Sequence, residues 1–254
     1  MFRELIEIII LSAIQGVSEF LPISSSAHLV IVSTLYEFHS NSIVIDVSLH
    51  LGSLLAIVFY FKKVLFDLKK NQKILYLMII GSMPLIIVGY ILYTTGFINL
   101  LRDVEIIAWM SLIFAIVLYF ADKSRFDKKI SSNLNTKVIL IIGIFQILSL
   151  VPGVSRAGIT ITASRILKFN RIDSSKISFF LSIPALAGAS FLSLKDLTIQ
   201  DINLNYLILL AIIMSFLFSY ITVKYFLIYI KKFSMNIFVI YRIIISLTLF
   251  YILY

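Results

Sequence analysis

Four stretches of the chain, 74–101, 138–155, 177–194 and 202–223, carry no charged residue. Apolar runs of about 18 residues or more cross a hydrocarbon core as helices. A membrane β-barrel would alternate apolar with polar residues, and these runs are continuous. Composition removes the soluble alternative: 60% of the residues are apolar and 14% charged, against about 45–50% and about 25% in soluble domains. Such a chain lacks the polar surface to cover a globule in water. A cytosolic enzyme, a disordered chain and a fibrous repeat are excluded, and a polytopic membrane protein is expected. There is no cysteine, so disulfides, thiolate catalysis and Cys-ligated metals are excluded too.

Charge clusters and turn residues predict about ten helical segments, near 2–20, 26–37, 43–61, 73–94, 104–121, 136–151, 157–168, 174–194, 204–230 and 236–253. The first has Arg3 but also Glu4 and Glu7, and no small-residue cleavage site follows; it reads as a retained helix rather than a signal peptide. Two joints are unusual. Segments 2–20 and 26–37 meet at Phe20-Leu21-Pro22-Ile23-Ser24-Ser25-Ser26, and segments 136–151 and 157–168 at Val151-Pro152-Gly153-Val154-Ser155. The second helix of each pair spans only about 18 Å, too short for a core of about 30 Å. Both pairs fit re-entrant hairpins. Backbone broken at membrane depth is tolerated only against protein or a watery cavity, so each break marks a candidate site.

The halves resemble one another. Each has a broken pair followed by three long segments, and Pro22-Ile23-Ser24-Ser25-Ser26-Ala27 overlays Pro152-Gly153-Val154-Ser155-Arg156-Ala157, with Gln15 and Gln146 before the respective breaks. Three crossings after a hairpin that crosses nothing turn the second half upside down. The expectation is an all-α polytopic membrane protein of two inverted-topology repeats, about 1–121 and 136–254. Each repeat has a re-entrant hairpin and three transmembrane helices, making six full spans in one integral membrane domain over 1–254. Sites in such folds lie where broken helices meet.

Charge distribution orients the chain. Lys62, Lys63, Lys69, Lys70, Lys73, Lys123, Arg125, Lys128, Lys129, Lys137, Lys168, Arg171, Lys176, Lys231 and Lys232 fall in loops expected on one side, and Arg3, Arg102 and Lys195 on the other. By the positive-inside rule the first side is cytoplasmic and both termini are outside. The net charge of +9 therefore reads as loop anchoring, not as affinity for nucleic acid.

Against this apolar background a few residues carry chemistry. Glu19 lies in the apolar run before Pro22, where a carboxylate is costly and functional by default; Gln15 sits one turn earlier on the same face. Ser24, Ser25 and Ser26 can cap a helix at Ala27, and a capped helix start is also an anion site. His28, three residues past Ser25, could serve it as a base. At the second break Ser155 and Arg156 open a helix after a glycine, a combination suited to phosphate oxygens, with Thr160 one turn on. The structural alternative is that Arg156 pairs with Glu19 across the repeat axis. Arg171 falls near the cytoplasmic face, where it is as well read as a positive-inside anchor. Asp46 and His50, one turn apart, could line a cavity or a metal site, although helix packing is favoured. Lys224 and Arg242 are read as snorkelling, and Trp109 and the tyrosines as interfacial anchors. Together these residues suit a phosphate head on a lipid tail. A lipid-carrier or anion transporter would use the same architecture.

The stretch Gln15-Gly16-Val17-Ser18-Glu19-Phe20-Leu21-Pro22-Ile23-Ser24-Ser25-Ser26-Ala27-His28 resembles the first signature of the undecaprenyl pyrophosphate phosphatases, also called bacitracin-resistance proteins. Pro152-Gly153-Val154-Ser155-Arg156-Ala157-Gly158 resembles the second, with Thr160, Arg171 and the Ser-Ile-Pro-Ala of 182–185 at family positions. The resemblance covers essentially the whole chain. It implies a bacterial cell-membrane hydrolase that cleaves undecaprenyl pyrophosphate to undecaprenyl phosphate and inorganic phosphate, recycling the lipid carrier of cell-wall synthesis. It implies dependence on a divalent metal, Mg²⁺ or Ca²⁺, with Glu19 as a ligand, Ser25 and His28 as the catalytic pair and Arg156 on the phosphates. Gln15, Ser24, Ser155, Thr160 and Arg171 are the further substrate-binding candidates. The expected partners are this lipid and membrane lipids, with a homodimer left open. Gln15 stands where the family has Glu or Gln. Ala27 and Ala157 replace the commoner Gly and Ser.

Overall fold

All ten predicted segments form helices. The computed structural model describes residues 2–36, 43–101, 103–123, 126–195 and 206–254. Among these the chain is helical, with no strand beyond one isolated bridge between Lys128 and Phe169. In order the helices are α1 (Phe2–Ser18), α2 (Ser25–Leu35), α3 (Ile43–Tyr60), α4 (Lys62–Phe66), α5 (Leu68–Thr94), α6 (Val104–Lys123), α7 (Ile130–Asn133), α8 (Thr136–Ile147), α9 (Arg156–Ile166), α10 (Arg171–Lys195), α11 (Tyr206–Tyr229) and α12 (Asn236–Leu253). The short α4 and α7 lie in the basic loops, where no apolar periodicity announced them. The outer ends of the segments expected at 26–37 and 204–230, and the loop residues Arg102 and Arg125, lie outside the described residues.

Five helices are long and apolar enough to cross a membrane: α5 from Asn71, α6, α10 to Leu192, α11 and α12. The chain is thus a multi-pass membrane protein. The expected sixth span, α3, falls just short of that length among the described residues. The spans turn residues such as Ile87, Ile116, Leu209, Ile221, Ile244 and Leu247 outward, which suits an acyl-chain environment rather than water.

The two breaks form for local reasons. Ser24 has extended backbone, and its Oγ accepts from the Ala27 N–H to start α2. Ser155, itself left-handed with φ 68°, caps α9 through the Gly158 N–H. Approaching Ser155 the chain turns left-handed at Gly153, φ 95°, a conformation that glycine adopts freely. α2 and α9 have 11 residues each, about 16 Å, well short of a hydrocarbon core of about 30 Å. Phe20 locks the first break inward, edge-on to Phe179 of α10 at 5.6 Å, in a buried cluster with Phe61, Phe180 and Phe226.

Packing follows an exchange between the halves. α1 packs on α11 as α8 packs on α5, α2 touches α12 as α9 touches α6, and α6 and α12 pack on each other. The α5–α8 crossing is close because glycines meet there: a Cβ on Gly143 would lie 2.1 Å from the Gly81 carbonyl oxygen.

The basic loops converge on one carboxylate. Asp122, buried at the end of α6, lies 3.1 Å from Arg165 Nε and 2.8 Å from Arg171 Nε, and accepts from the Met235 N–H at 2.9 Å. It gathers the ends of α6 and α9 with the starts of α10 and α12. Removing the acid leaves Arg165, 2% exposed, as a buried charge without its counter-ion, a loss of about 3–5 kcal/mol. Asp122→Ala should therefore lower the melting temperature in detergent micelles far more than Arg171→Ala, whose side chain is 29% exposed. Equal effects would show that the buried pair is not the anchor.

Candidate active site

The breaks meet through an ion pair. Arg156, the first residue of α9, donates from Nη2 to Glu19 Oε1 at 2.8 Å and to the Glu19 carbonyl at 3.2 Å. Its Nη1 donates to the Ser178 carbonyl of α10. Both side chains are about nine-tenths buried. The other carboxylate oxygen of Glu19 accepts from Gln15 Nε2 at 2.9 Å, and the same amide nitrogen lies 3.0 Å from His50 Nδ1. Since the amide donates, His50 Nδ1 accepts and its proton sits on Nε2. The pairing of Arg156 with Glu19 is thus present, and His50, read from sequence as packing, is joined to it through Gln15. Asp46, one turn away, is exposed.

The three serines have different partners. Ser24 Oγ caps α2 and meets Ser26 Oγ at 2.9 Å. Ser26 Oγ accepts from the Gly153 N–H at 3.0 Å, stitching the first break to the second. Ser25 has no hydrogen bond to any described residue. Its half-buried hydroxyl at the start of α2 is the one left for a ligand.

His28 has no hydrogen bond to the Ser25 hydroxyl. Its Nδ1 bonds the Ser24 carbonyl and its Nε2 lies 2.6 Å from the Tyr241 hydroxyl of α12. Thr160 is fully buried and bonds Ser178 Oγ at 2.7 Å, bracing α9 against α10. Ser155 is spent on its cap, and Arg171 on Asp122. The structure therefore brings Gln15, Glu19 and Arg156 into direct contact and holds Ser24, Ser25 and His28 alongside. Thr160 stands behind them, and Arg171 lies in a separate cluster.

Sequence reading missed three participants. Arg242 is buried, donating to the Gly153 carbonyl at 2.8 Å and to the Ser111 carbonyl; it anchors the second break rather than snorkelling. The signal was its place six residues inside α12, too deep for an interfacial anchor. Tyr241 beside it was pooled with interfacial tyrosines. Ser178 belongs to a seam with Ser174 and Ser182 at four-residue spacing, all buried on one face of α10.

Comparison with known proteins then bears on this arrangement. The family model described as bacitracin resistance protein BacA matches residues 8–248. The chain is 68% identical to the undecaprenyl-diphosphatase of Pelagibacter ubique (strain HTCC1062) over the full length of both. It is 40% identical to that of Elusimicrobium minutum (strain Pei191), covering 92% of this chain and 93% of the relative, and 38% identical to that of Campylobacter curvus (strain 525.92), covering 98% and 99%. The chain belongs to the BacA family.

Within this BacA-family site, the donors suit a particular kind of cation. Among the described residues no three His, Cys, Asp or Glu side chains converge, so there is no all-protein cage. One carboxylate, Glu19, and the free carbonyl oxygen of Gln15 are hard oxygen donors. A divalent ion held mainly by substrate phosphates needs no more than one or two such ligands, and the residues fit that mode.

The ion pair should behave as a unit. Glu19→Gln leaves Arg156 buried without its counter-ion and should destabilise the protein in micelles. Adding Arg156→Met should recover part of the loss, with a coupling of about 1–3 kcal/mol in a double-mutant cycle. Strict additivity would show that the two side chains act independently.

Proposed function

We infer that this chain hydrolyses undecaprenyl pyrophosphate to undecaprenyl phosphate and inorganic phosphate, the activity named for its relatives. The observation that carries the reading to particular residues is the meeting of two capped helix starts at a buried Arg–Glu pair, beside a serine hydroxyl with no partner. Helix starts and a guanidinium favour phosphate oxygens. Phosphoryl transfer asks of a protein chiefly positioning and charge neutralisation. The apolar exterior leaves the prenyl tail in lipid while the head enters between the breaks.

In the mechanism we propose, Ser25 Oγ attacks the terminal phosphorus. A bond forms from Ser25 to phosphorus, and the bond from phosphorus to the bridging oxygen breaks. Undecaprenyl phosphate leaves, and water then releases the phosphate from Ser25. His28 takes the proton of the attacking hydroxyl on Nε2, directly or through a water, once Nε2 has exchanged its hydrogen bond with the Tyr241 hydroxyl for one with the attacking group. Arg156 holds phosphate oxygens once the diphosphate competes for it with Glu19. Mg²⁺ or Ca²⁺ bound with the substrate through Glu19 and the Gln15 carbonyl would supply further neutralisation of phosphate charge. We assign Ser155 and Thr160 to building the α9 start, Ser24 to the α2 start, and Arg171 to the Asp122 anchor.

The exchanged packing of α1 on α11 and α8 on α5 supports two inverted repeats, about 1–121 and 136–254, within one membrane domain. The convergence of three basic loops on Asp122 supports their sharing one face. We take that face as cytoplasmic and the membrane as the bacterial cell membrane, with both termini outside.

Purified protein should release phosphate from undecaprenyl pyrophosphate and lose that activity with chelator. Ser25→Ala should fall by about 10²-fold or more, the scale for loss of a nucleophile's contribution, and phosphate from a labelled substrate should be trapped on Ser25 of the wild type. Full activity in Ser25→Ala would transfer the attack to a water directed by Glu19.

A further inference from the structure

His28 is held at both ring nitrogens, and the second partner comes from the far end of the chain. A carbonyl oxygen can only accept, so the contact of Nδ1 with the Ser24 carbonyl requires a proton on Nδ1. In the neutral ring the lone pair then lies on Nε2. The group facing that lone pair is the Tyr241 hydroxyl, 2.6 Å away, which must donate. The two rings also stack, with centroids 5.5 Å apart and 20° between planes.

We propose that Tyr241 is the positioning residue of His28: its phenol O–H and ring hold the imidazole neutral, in one tautomer and one orientation, beside Ser25. The proposal rests on the reading of His28 as the base of phosphate release. A base oriented by a group on its other side is the general arrangement for activating a hydroxyl nucleophile. Here the Ser24 carbonyl is the partner on the far nitrogen and sets the tautomer, while the Tyr241 hydroxyl holds the lone pair of Nε2 at rest and yields it to the proton of Ser25 when substrate binds. Neighbouring Arg242 turns away, to the Gly153 and Ser111 carbonyls, so consecutive residues of α12 hold one break each.

The other elements packed on α2 bring no competing charge to the ring. α6 presents Ile107 and Ala108 to it; its acids lie at the ends, with Glu105 bound by the Tyr254 hydroxyl and Asp122 by Arg165 and Arg171, and the exposed Asp103 beside Glu105. Around α1, Glu19 is paired with Arg156, and Arg3 and Glu7 are joined to Tyr36 at the opposite end of α2. Among the described residues, the Tyr241 phenol is the side chain hydrogen-bonded to the His28 ring.

The sign of its removal follows. A hydrogen bond donated to the lone pair favours the neutral ring, so losing it lets the ring take a proton at higher pH. Tyr241→Phe keeps the stacked ring and deletes only the donor. It should lower kcat about 2- to 10-fold with KM nearly unchanged, and move the acid limb of the kcat/KM profile up by about 0.5–1 pH unit. Tyr241→Leu should show the same displaced limb with a larger fall in kcat. The companion measurement is the titration of the His28 ring by NMR in histidine-labelled protein in micelles, with His39→Gln and His50→Gln used for assignment. A Tyr241→Phe protein with wild-type kcat and an unmoved limb overturns the proposal. So does a His28 titration identical in wild type and Tyr241→Phe, even where His28→Gln abolishes turnover and the base reading stands. A His28 titration that moves while His28→Gln remains fully active supports the Tyr–His pair and removes the base reading instead.

Discussion

The Arg156–Glu19 pair is the contact on which the rest of the site depends. Each partner lies at a helix break, and each break leaves backbone groups that lipid cannot satisfy. Burying one charge alone at that depth would be prohibitive. Bringing both together offsets the two costs and sets the distance between α1 and α9. Around this contact the remaining polar atoms have defined duties. Ser26 accepts from the Gly153 N–H, Arg242 holds the Gly153 carbonyl, and Gln15 takes the second oxygen of Glu19.

A second ionic cluster solves a different problem. Asp122 balances Arg165 and Arg171 where the basic loops gather, a point that ties four helix ends without entering the site. The two clusters separate stability from chemistry. Asp122 is saturated by two guanidiniums and a backbone N–H, so it has little to offer a ligand. The Arg156–Glu19 pair is partly accessible, and its donors are the kind that a diphosphate can compete for. The same distinction sorts the serines: those that stitch the breaks are engaged, and Ser25 is free.

Much of this was legible in the chain. Charge-free runs and charged loops marked the helices, because a bilayer penalises charge wherever it falls. The Pro-containing joints and the shortness of the segments after them marked the breaks, and the ionisable residues beside those joints, Glu19 and Arg156, meet in the structure. What stayed hidden was pairing across long separations. Arg171 reads equally as an anchor or as a substrate contact until Asp122, far away in sequence, is seen to claim it. His50 and Gln15 are 35 residues apart, and nothing in either neighbourhood announces their contact. Tyr241 looks like any of the interfacial tyrosines because its distinguishing property is the imidazole it faces. Thr160 looked like a ligand-facing hydroxyl one turn past Arg156, and its rotation towards Ser178 depends on the α9–α10 crossing, which no local pattern encodes.

That the last helix supplies partners to both breaks has a consequence for how the site comes into being. The first break is made by residues up to His28 and the second by residues up to Thr160, and Tyr241 and Arg242 of α12 add a partner to each. Without them the Gly153 carbonyl would lack its guanidinium and the His28 ring its second hydrogen bond. α2 makes sparse contacts with α1, α6 and α12, whereas α9 is buried along most of its length, so α2 is the short helix that depends most on directed hydrogen bonds. In a bilayer, where apolar contact between helices gains little over contact with lipid, such bonds are what fix a short helix in place. The consecutive side chains at 241 and 242 therefore tie the short α2 and the second break to the same helix.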